Sequence, residues 1–197
     1  MKIDTEHLHY WMQAIRQSPD PMRTMDAFWQ GQIKSKEWLI DNLYKHVDNA
    51  VSVDIYGGWV GVLASMMFQS AIVCKKIRSI DIDPSCQSIA AMMNKGEEIA
   101  GIFESISADM CEISSTADVV INTSCEHLTQ EQYDRWLTNV SDKSLLVLQS
   151  NNYSIPEHIR IAQDIKEFVE QSKIDIIWKD RLELPLYTRY MIIGKKR

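Results

Sequence analysis

The chain has 197 residues, enough for one domain with one continuous core. Hydrophobic residues make up 45% of it and charged residues 24%, a globular composition that argues against general disorder. No apolar run reaches the roughly 20 residues that a membrane-spanning helix needs. Residues 1–7 are too polar to begin a secretory signal, so a cytoplasmic protein without a membrane partner is expected.

Charge and cysteine spacing narrow the expected partners further. The formal net charge is −6, and apart from residues 195–197 the basic residues do not cluster, so a nucleic acid is not expected as the main partner. The four cysteines include no CxxC pair, which predicts reduced thiols rather than a zinc site or a disulfide framework. No bound metal is expected, and a homodimer is a possible assembly.

The first quarter of the chain, residues 1–48, reads as helical. Pro19 and Pro21 should end the first helix. We interpret this part as a helical lid or extension of a second region, residues 49–197. The apolar spacing near Trp38 also fits simple packing onto that region. The residues that could close over a bound ligand are Trp29, Gln32 and Lys36.

From residue 51 onward, short apolar segments alternate with helical ones, which is typical of a mainly parallel sheet. Strands are predicted at 51–56, 76–80, 102–107, 118–122, 144–149, 174–178 and 187–194. Helices are predicted at 62–68, from Pro84, at 130–139 and at 157–171. Pro185 separates the last two strands, which should form an antiparallel pair. The predicted fold class is α/β: a doubly wound, seven-stranded, mainly parallel sheet with an antiparallel last strand and helices on both faces.

Three groups of residues follow the first three predicted strands. Gly57, Gly58 and Gly61 lie between the first strand and its helix, where the backbone must turn sharply and can approach a ligand. Asp81 ends the second strand, where an acid accepts hydrogen bonds from ribose hydroxyls in folds of this class. Asp109 follows the third strand, where it could accept a bond from an adenine amino group. The strand ends meet at one edge of the sheet, so these residues predict a ligand site.

Each group has a simpler explanation when taken alone. The glycines could make a tight turn without a ligand. Asp81 could cap the helix at Pro84, although Asp83 is better placed for that. Asp109 could be a turn residue. Their order and spacing together favour the ligand.

These segments resemble the class I S-adenosylmethionine-dependent methyltransferases over roughly residues 50–194. The matching motifs are the glycine motif at 53–61, the acidic second motif at 79–84, the adenine-side motif at 108–110, the fourth-strand segment at 117–128 and the antiparallel last strand at 190–194. The resemblance implies a Rossmann-like domain at 49–197, S-adenosylmethionine as cofactor and a small-molecule methyl acceptor. The cofactor-binding residues that it implies are Asp54, Gly57, Gly58, Trp59, Gly61, Asp81, Ile82, Asp109, Met110 and Asn122.

Two aromatic residues depart from the family pattern. Tyr56 stands where the family usually has its first glycine, and Trp59 follows the glycine pair. The indole of Trp59 could stack on the cofactor or cover the start of the helix.

His127 is the candidate catalytic base, because imidazole titrates near neutral pH and the residue follows the fourth strand. Glu126 could orient His127 or bind the acceptor. The alternative is that both are surface residues before a helix, where Thr129 and Gln132 form a plausible capping box.

A dense polar cluster follows the fifth strand and faces the acceptor side in folds of this class. The candidate substrate-binding residues are Gln149, Asn151, Asn152 and Tyr153. An Asn-rich turn would explain them equally well. Tyr187 and Arg189 could bind an anionic acceptor, although Arg189 could also be a solvated charge.

Other activities fit the sequence less well. Residues 122–125 lack the prolines and the aromatic residue with which amino-methylating DNA enzymes hold a flipped base. A nicotinamide-dependent oxidoreductase would need a complete G-x-G-x-x-G, which is absent. A non-catalytic binding module, such as a subunit of a larger enzyme, is the third alternative, and Tyr56 favours it.

Overall fold

The computed structural model describes residues 4–197. The N-terminal part consists of α1 (Thr5–Gln17), α2 (Pro21–Asp26) and α3 (Gln30–Leu43), followed by a 3₁₀ turn at Tyr44–His46. As predicted, α1 ends before Pro19. Pro21 is the first residue of α2, where its missing N–H costs no hydrogen bond. Among the described residues, no helix combines the length and the apolar character needed to cross a bilayer.

The rest of the chain alternates strands and helices. The strands are β1 (Val51–Tyr56), β2 (Cys74–Asp81), β3 (Phe103–Ser107), β4 (Val119–Asn122), β5 (Leu145–Asn151), β6 (Ile174–Glu183) and β7 (Thr188–Lys196). The helices are α4 (Val62–Phe68), α5 (Pro84–Met93), α6 (Lys95–Ile99), α7 (Gln130–Thr138) and α8 (Ile165–Ser172). Asp83 caps α5, and Thr129 and Gln132 form the predicted capping box on α7.

The seven strands form one sheet in the order β3-β2-β1-β4-β5-β7-β6. The pairings from β3 to β5 are parallel, and β7 is antiparallel to both of its neighbours. The predicted fold class is confirmed. The chain runs outward from β1 to β3 and then returns to β4 on the other side of β1. This reversal leaves a crevice at the carboxyl ends of β1 and β4, where doubly wound folds bind ligands.

Helices cover both faces of the sheet. Successive residues of a strand point to opposite faces, so Ile55 and Tyr56 belong to different cores. The core on the Ile55 side includes residues of α1, α3, α4 and α5, while the core on the Tyr56 side includes residues of α7 and α8. Two layers of helices therefore leave the strand ends as the open edge.

The helix predicted at 157–171 is wrong in its first half. The structure has a loop up to Asp164, whose carboxylate accepts the N–H groups of Lys166 and Glu167 and so starts α8 there. Part of the loop backbone bonds to other segments: the Arg160 N–H donates to the Glu126 carbonyl, and the Ala162 N–H donates to the Asn151 carbonyl. Helix α6 was not predicted, and β6 extends five residues beyond its predicted end, to Glu183.

One buried ion pair joins β1 to β2. The Asp54 carboxylate, 2% exposed, accepts hydrogen bonds from Arg78 Nε at 2.7 Å, from the Arg78 Nη2 group and from the Ser115 hydroxyl. Asp54 and Arg78 are direct partners in the strand register. The carboxylate is thus desolvated and depends on these donors.

Replacing Arg78 with Met should therefore destabilise the fold. It leaves a buried carboxylate with Ser115 alone, and we expect a loss of about 2–3 kcal/mol, less than for a fully buried pair because Arg78 is partly exposed. Lys76→Met is the matched control on the same strand, since its exposed pair with Glu104 contributes at most about 1 kcal/mol. Urea unfolding measures both. Equal losses of unfolding free energy in the two variants would show that the buried Asp54–Arg78 pair stabilises the fold no more than the exposed pair does.

Candidate functional site

A cavity of about 700 Å³ lies at the carboxyl ends of the central strands, within the range of small-molecule sites. The strand ends of β1, β2, β4 and β5 all contribute lining residues. Helices α2 and α3 and the connection between them close one side. Their contributions are Arg23, Ala27, Trp29, Gln32 and Lys36.

The glycine bend after β1 forms part of the cavity wall. Gly57 has φ +66°, a left-handed conformation that favours glycine, and a Cβ there would collide with the Ser124 hydroxyl. A Cβ at Gly58 would collide with the Ser79 hydroxyl. Side chains are therefore excluded from the bend, and the backbone itself faces the cavity.

Asp81 fixes this bend to the end of β2. One carboxylate oxygen accepts the Trp59 N–H at 2.8 Å, and the other accepts the Asp83 N–H at 3.0 Å. A carboxylate has about four lone-pair sites, so two such bonds leave acceptor capacity towards the cavity, which Asp81 lines together with the exposed Ile82. Asp81 is thus held in place and still able to bind a ligand.

The residues after β3 line the next part of the wall. Asp109 Oδ1 accepts the Cys111 N–H at 2.8 Å, which starts a 3₁₀ turn at Met110–Glu112. Both Asp109 and Met110 line the cavity. The predicted grouping of the glycine bend, Asp81 and Asp109 around one space is therefore present in the structure.

Tyr56 does not obstruct the bend. Its ring packs edge-on against Trp136, with centroids 5.6 Å apart, and its hydroxyl donates to the Ile113 carbonyl. Trp59, in contrast, lines the cavity and has φ +48°, an uncommon conformation for a residue with a side chain. Tyr56, which stands where the resemblance would place a glycine, therefore packs into the core on one face of the sheet.

Three predicted cofactor residues do not line the cavity: Asp54, Gly61 and Asn122. The Asp54 carboxylate instead accepts hydrogen bonds from Arg78 and Ser115. Gly61 starts α4 in a left-handed conformation, and a Cβ there would crowd Ala90 of α5. Asn122 is fully buried, where its side chain accepts the Ser124 N–H at 2.9 Å and donates to the Met110 sulfur. The structure corrects these three positions: they shape the wall without facing the cavity.

Two of the four predicted substrate residues also lie outside the lining. Gln149 is buried beneath α3, where its side-chain oxygen accepts bonds from Ser35 and Arg189. Asn152 accepts the Thr188 N–H at 2.8 Å and so joins the end of β5 to the start of β7. Asn151 and Tyr153 do line the cavity.

Glu126 and Arg189 form a buried ion pair at the cavity wall. Arg189 Nη1 donates to Glu126 Oε1 at 2.8 Å, Asn151 donates to the same oxygen, and Arg189 Nη2 donates to the Thr123 carbonyl at 2.8 Å. Arg189 is only 8% exposed, so it is not a solvated charge. No local sequence pattern indicates that β7 places Arg189 opposite Glu126.

His127 lies beside this pair in a 3₁₀ turn at Cys125–His127 and lines the cavity. Its Nδ1 is 3.0 Å from the Glu157 carbonyl oxygen. Because a carbonyl oxygen only accepts, Nδ1 carries the proton in the neutral ring, and Nε2 keeps a free lone pair. Glu126 does not orient this ring, contrary to one of the two roles predicted for it, since the Glu157 carbonyl does so.

Lys36 brings an amine into the cavity. Burial, and secondarily the charge of Arg189, lower the pKa of Lys36 to about 7. Its Nζ donates to the side-chain oxygen of Gln32 at 2.8 Å, one turn earlier on α3. An ammonium held in this environment loses its proton far more readily than an ordinary lysine.

Comparison with solved structures gives the same fold. The N-methyltransferase NodS from Bradyrhizobium japonicum WM9, in complex with S-adenosylhomocysteine, superposes with a TM-score of 0.65 at 13% identity, covering 94% of this chain and 98% of that chain. The magnesium protoporphyrin IX methyltransferase ChlM from Synechocystis PCC 6803, with bound S-adenosylhomocysteine, gives 0.64 at 12% identity, covering 98% and 95%. The protein has the class I S-adenosylmethionine-dependent methyltransferase fold.

The pyocyanin biosynthetic protein PhzM has a TM-score of 0.67 at 15% identity, covering 95% of this chain and 62% of that chain. The chain thus spans about three fifths of the length of PhzM and, at 60%, of the mitomycin 7-O-methyltransferase MmcR. No protein-family model and no curated protein matches the sequence. The methyltransferase fold is therefore established by structure alone.

The lowered pKa of Lys36 predicts a pH-dependent stability. Between about pH 7 and 10 the unfolded chain holds this proton and the folded protein does not, so stability rises with pH across that window. Lys36→Met removes the effect. We expect this variant to gain most over the wild type at pH 6, and the gain to shrink above pH 7 by up to about 1.4 kcal/mol per pH unit.

Urea unfolding of wild type and variant at pH 6, 7, 8 and 9 measures this difference. Lys34→Met, at an exposed position on the same helix, is the matched control and should differ from the wild type by a constant amount. If the Lys36→Met curve also runs parallel to that of the wild type, Lys36 is an ordinary lysine.

Proposed function

We propose that this protein is an S-adenosylmethionine-dependent methyltransferase that acts on a small-molecule acceptor. One observation carries the proposal: the glycine bend, Asp81 and Asp109 come from three different strand ends and line a single cavity. NodS and ChlM, which share the fold, were crystallised with S-adenosylhomocysteine. The cavity volume of about 700 Å³ is large enough for a ligand of that size.

The residues present fit the cofactor. The bend at Gly57 and Gly58 has no side chains, so its backbone can approach the ligand closely. Asp81 would accept hydrogen bonds from the ribose hydroxyls, and Asp109 from the adenine amino group. Ile82, 69% exposed at the cavity, supplies an apolar surface for the adenine ring.

The acceptor would occupy the opposite end of the cavity. Glu126, His127, Asn151 and Tyr153 line that end with Arg189. Because Arg189 neutralises the charge of Glu126, this wall offers polar groups in fixed positions rather than a strong net charge. Such a wall suits a small polar acceptor, and the acidic chain as a whole does not favour a nucleic acid.

S-adenosylmethionine supplies the activated methyl group, so the protein needs no covalent nucleophile. Its tasks are to align the acceptor, to exclude water and, for a hydroxyl or ammonium acceptor, to take up a proton. The groups at the cavity with a lone pair for that proton include Nε2 of His127, and Nζ of Lys36 with its pKa of about 7. Trp29, on the segment between α2 and α3, closes the cavity from the side of the N-terminal helices.

Asp81→Ala should weaken S-adenosylmethionine binding at least tenfold. The variant loses the acceptor for the ribose hydroxyls and also the bond that holds the Trp59 N–H; about 1.4 kcal/mol corresponds to a factor of ten. Isothermal titration calorimetry measures the affinity, and far-UV circular dichroism checks the fold. Asp142→Ala is the matched control, because this exposed acid pairs with Lys196 away from the cavity.

The same titration separates the alternatives. Binding of a nicotinamide dinucleotide instead of S-adenosylmethionine would indicate an oxidoreductase. Absence of binding to either would leave a non-catalytic module. Unchanged S-adenosylmethionine affinity in Asp81→Ala would overturn the ribose assignment.

A further inference from the structure

Three side chains with metal-binding atoms meet at the acceptor end of the cavity. Glu126 and His127 come from the turn after β4, and His158 comes from the loop between β5 and α8. One ligand atom from each lies within 4.8 Å of the other two, and all three residues line the cavity. The sequence places His158 more than thirty positions away from this pair, so only the fold assembles the cluster.

Backbone carbonyls set the tautomer of both histidines. His127 Nδ1 lies 3.0 Å from the Glu157 carbonyl oxygen, and His158 Nδ1 lies 2.7 Å from the Tyr153 carbonyl oxygen. Both Nδ1 atoms therefore donate, and both Nε2 atoms keep a free lone pair. The rings meet edge to face, with centroids 4.7 Å apart. A histidine that ligates a metal through one nitrogen almost always donates its other N–H to such an acceptor.

Glu126 supplies an unused oxygen. Its side chain is 3% exposed, and Oε1 is occupied by Arg189 and Asn151. Oε2 is buried and has no hydrogen-bond partner among residues 4–197. Leaving a buried carboxylate oxygen without a partner is costly, so a partner absent from the protein itself is indicated.

We propose that Glu126, His127 and His158 bind one divalent first-row transition metal ion. Two imidazole nitrogens and one carboxylate oxygen suit Zn²⁺, Mn²⁺ or Fe²⁺ rather than Ca²⁺ or Mg²⁺. In a tetrahedral site, ligand atoms about 2.1 Å from one ion lie about 3.4 Å apart, so metal binding would draw the three ligand atoms together by up to about 1.4 Å.

The site has open coordination positions. Three protein ligands leave at least one position for water or a ligand, as in catalytic rather than structural metal sites. The charge of Arg189 beside Glu126 weakens the attraction for a cation, so reversible binding is expected rather than a permanently held ion. An acceptor with oxygen donors would fill the open positions, a role that rests on the methyltransferase function proposed above. With the ion bound, Nε2 of His127 is a ligand and cannot act as a base, so Nζ of Lys36 would take up the proton. Metal binding itself does not depend on the methyltransferase function.

Calorimetric titration of Mn²⁺ and Zn²⁺ into the full chain, free of any histidine tag and stripped with EDTA, tests the site. One ion should bind per chain. His158→Ala should lower the affinity at least tenfold, because it removes one of three ligands. His9→Ala is the matched control, since His9 is exposed and contacts Gln13 on α1. Cys74→Ser checks the one cysteine that is not buried, and should leave binding unchanged.

Nuclear magnetic resonance gives a second readout that a merely structural role would not affect. Paramagnetic Mn²⁺ should broaden the imidazole signals of His127 and His158 at low occupancy, while the signal of His9 stays sharp. Absence of a bound ion, or binding that survives both His127→Ala and His158→Ala, would overturn the proposal.

A separate titration of S-adenosylmethionine into the wild-type protein, with and without EDTA, reports on the cofactor alone. If the cofactor fails to bind while Mn²⁺ binds, the proposed function is wrong and the metal site stands. If the cofactor binds and no metal ion does, the metal site is wrong and the proposed cofactor binding stands.

Discussion

The reversal of strand order at β1 is the constraint on which the site depends. β1 lies between β2 and β4, and the chain leaves it in one direction and returns in the other. Helices that follow these strands diverge to opposite faces, so they cannot cover the ends of both. The glycine bend and Asp81 lie on one side of the resulting crevice, and the turn with Glu126 and His127 lies on the other. One topological feature thus positions both halves of the cavity.

Backbone hydrogen bonds give this crevice its fixed shape. Asp81 accepts N–H groups from the bend and from its own strand end, and Asn122 does the same for the turn after β4. These polar side chains satisfy backbone groups that regular secondary structure leaves unpaired. A wall built in this way is set before any ligand arrives, which is the condition for accurate alignment of two reactants.

The charges of the cavity come from distant parts of the chain. Lys36 lies on α3 and Arg189 lies on β7. The positive charge of Arg189 contributes to the low pKa of Lys36. Glu126 neutralises Arg189 through a pair that Asn151 supports. The low polarity of the surroundings strengthens each of these interactions. The N-terminal helices are therefore part of the electrostatics of the cavity as well as part of its wall.

Local patterns allowed the strands, the caps on α5 and α7 and the grouping of Asp81 and Asp109 at one edge of the sheet to be predicted. Strand alternation and end signals are short-range properties, and parallel strands bring their ends together by geometry. The loop at 157–164 could not be predicted, because its backbone bonds to residues far away in sequence, as Arg160 does to Glu126. The helix was predicted there from the local pattern of apolar residues alone, which does not include such long-range hydrogen bonds.

The sequence by itself therefore determined the fold class and the edge of the sheet at which Asp81 and Asp109 meet. Only the tertiary structure decided that Asp54 belongs to an ion pair with Arg78, that Arg189 neutralises Glu126, and that His158 joins His127. The physical reason is that charge pairing and burial depend on three-dimensional proximity, which the spacing of residues along the chain does not specify.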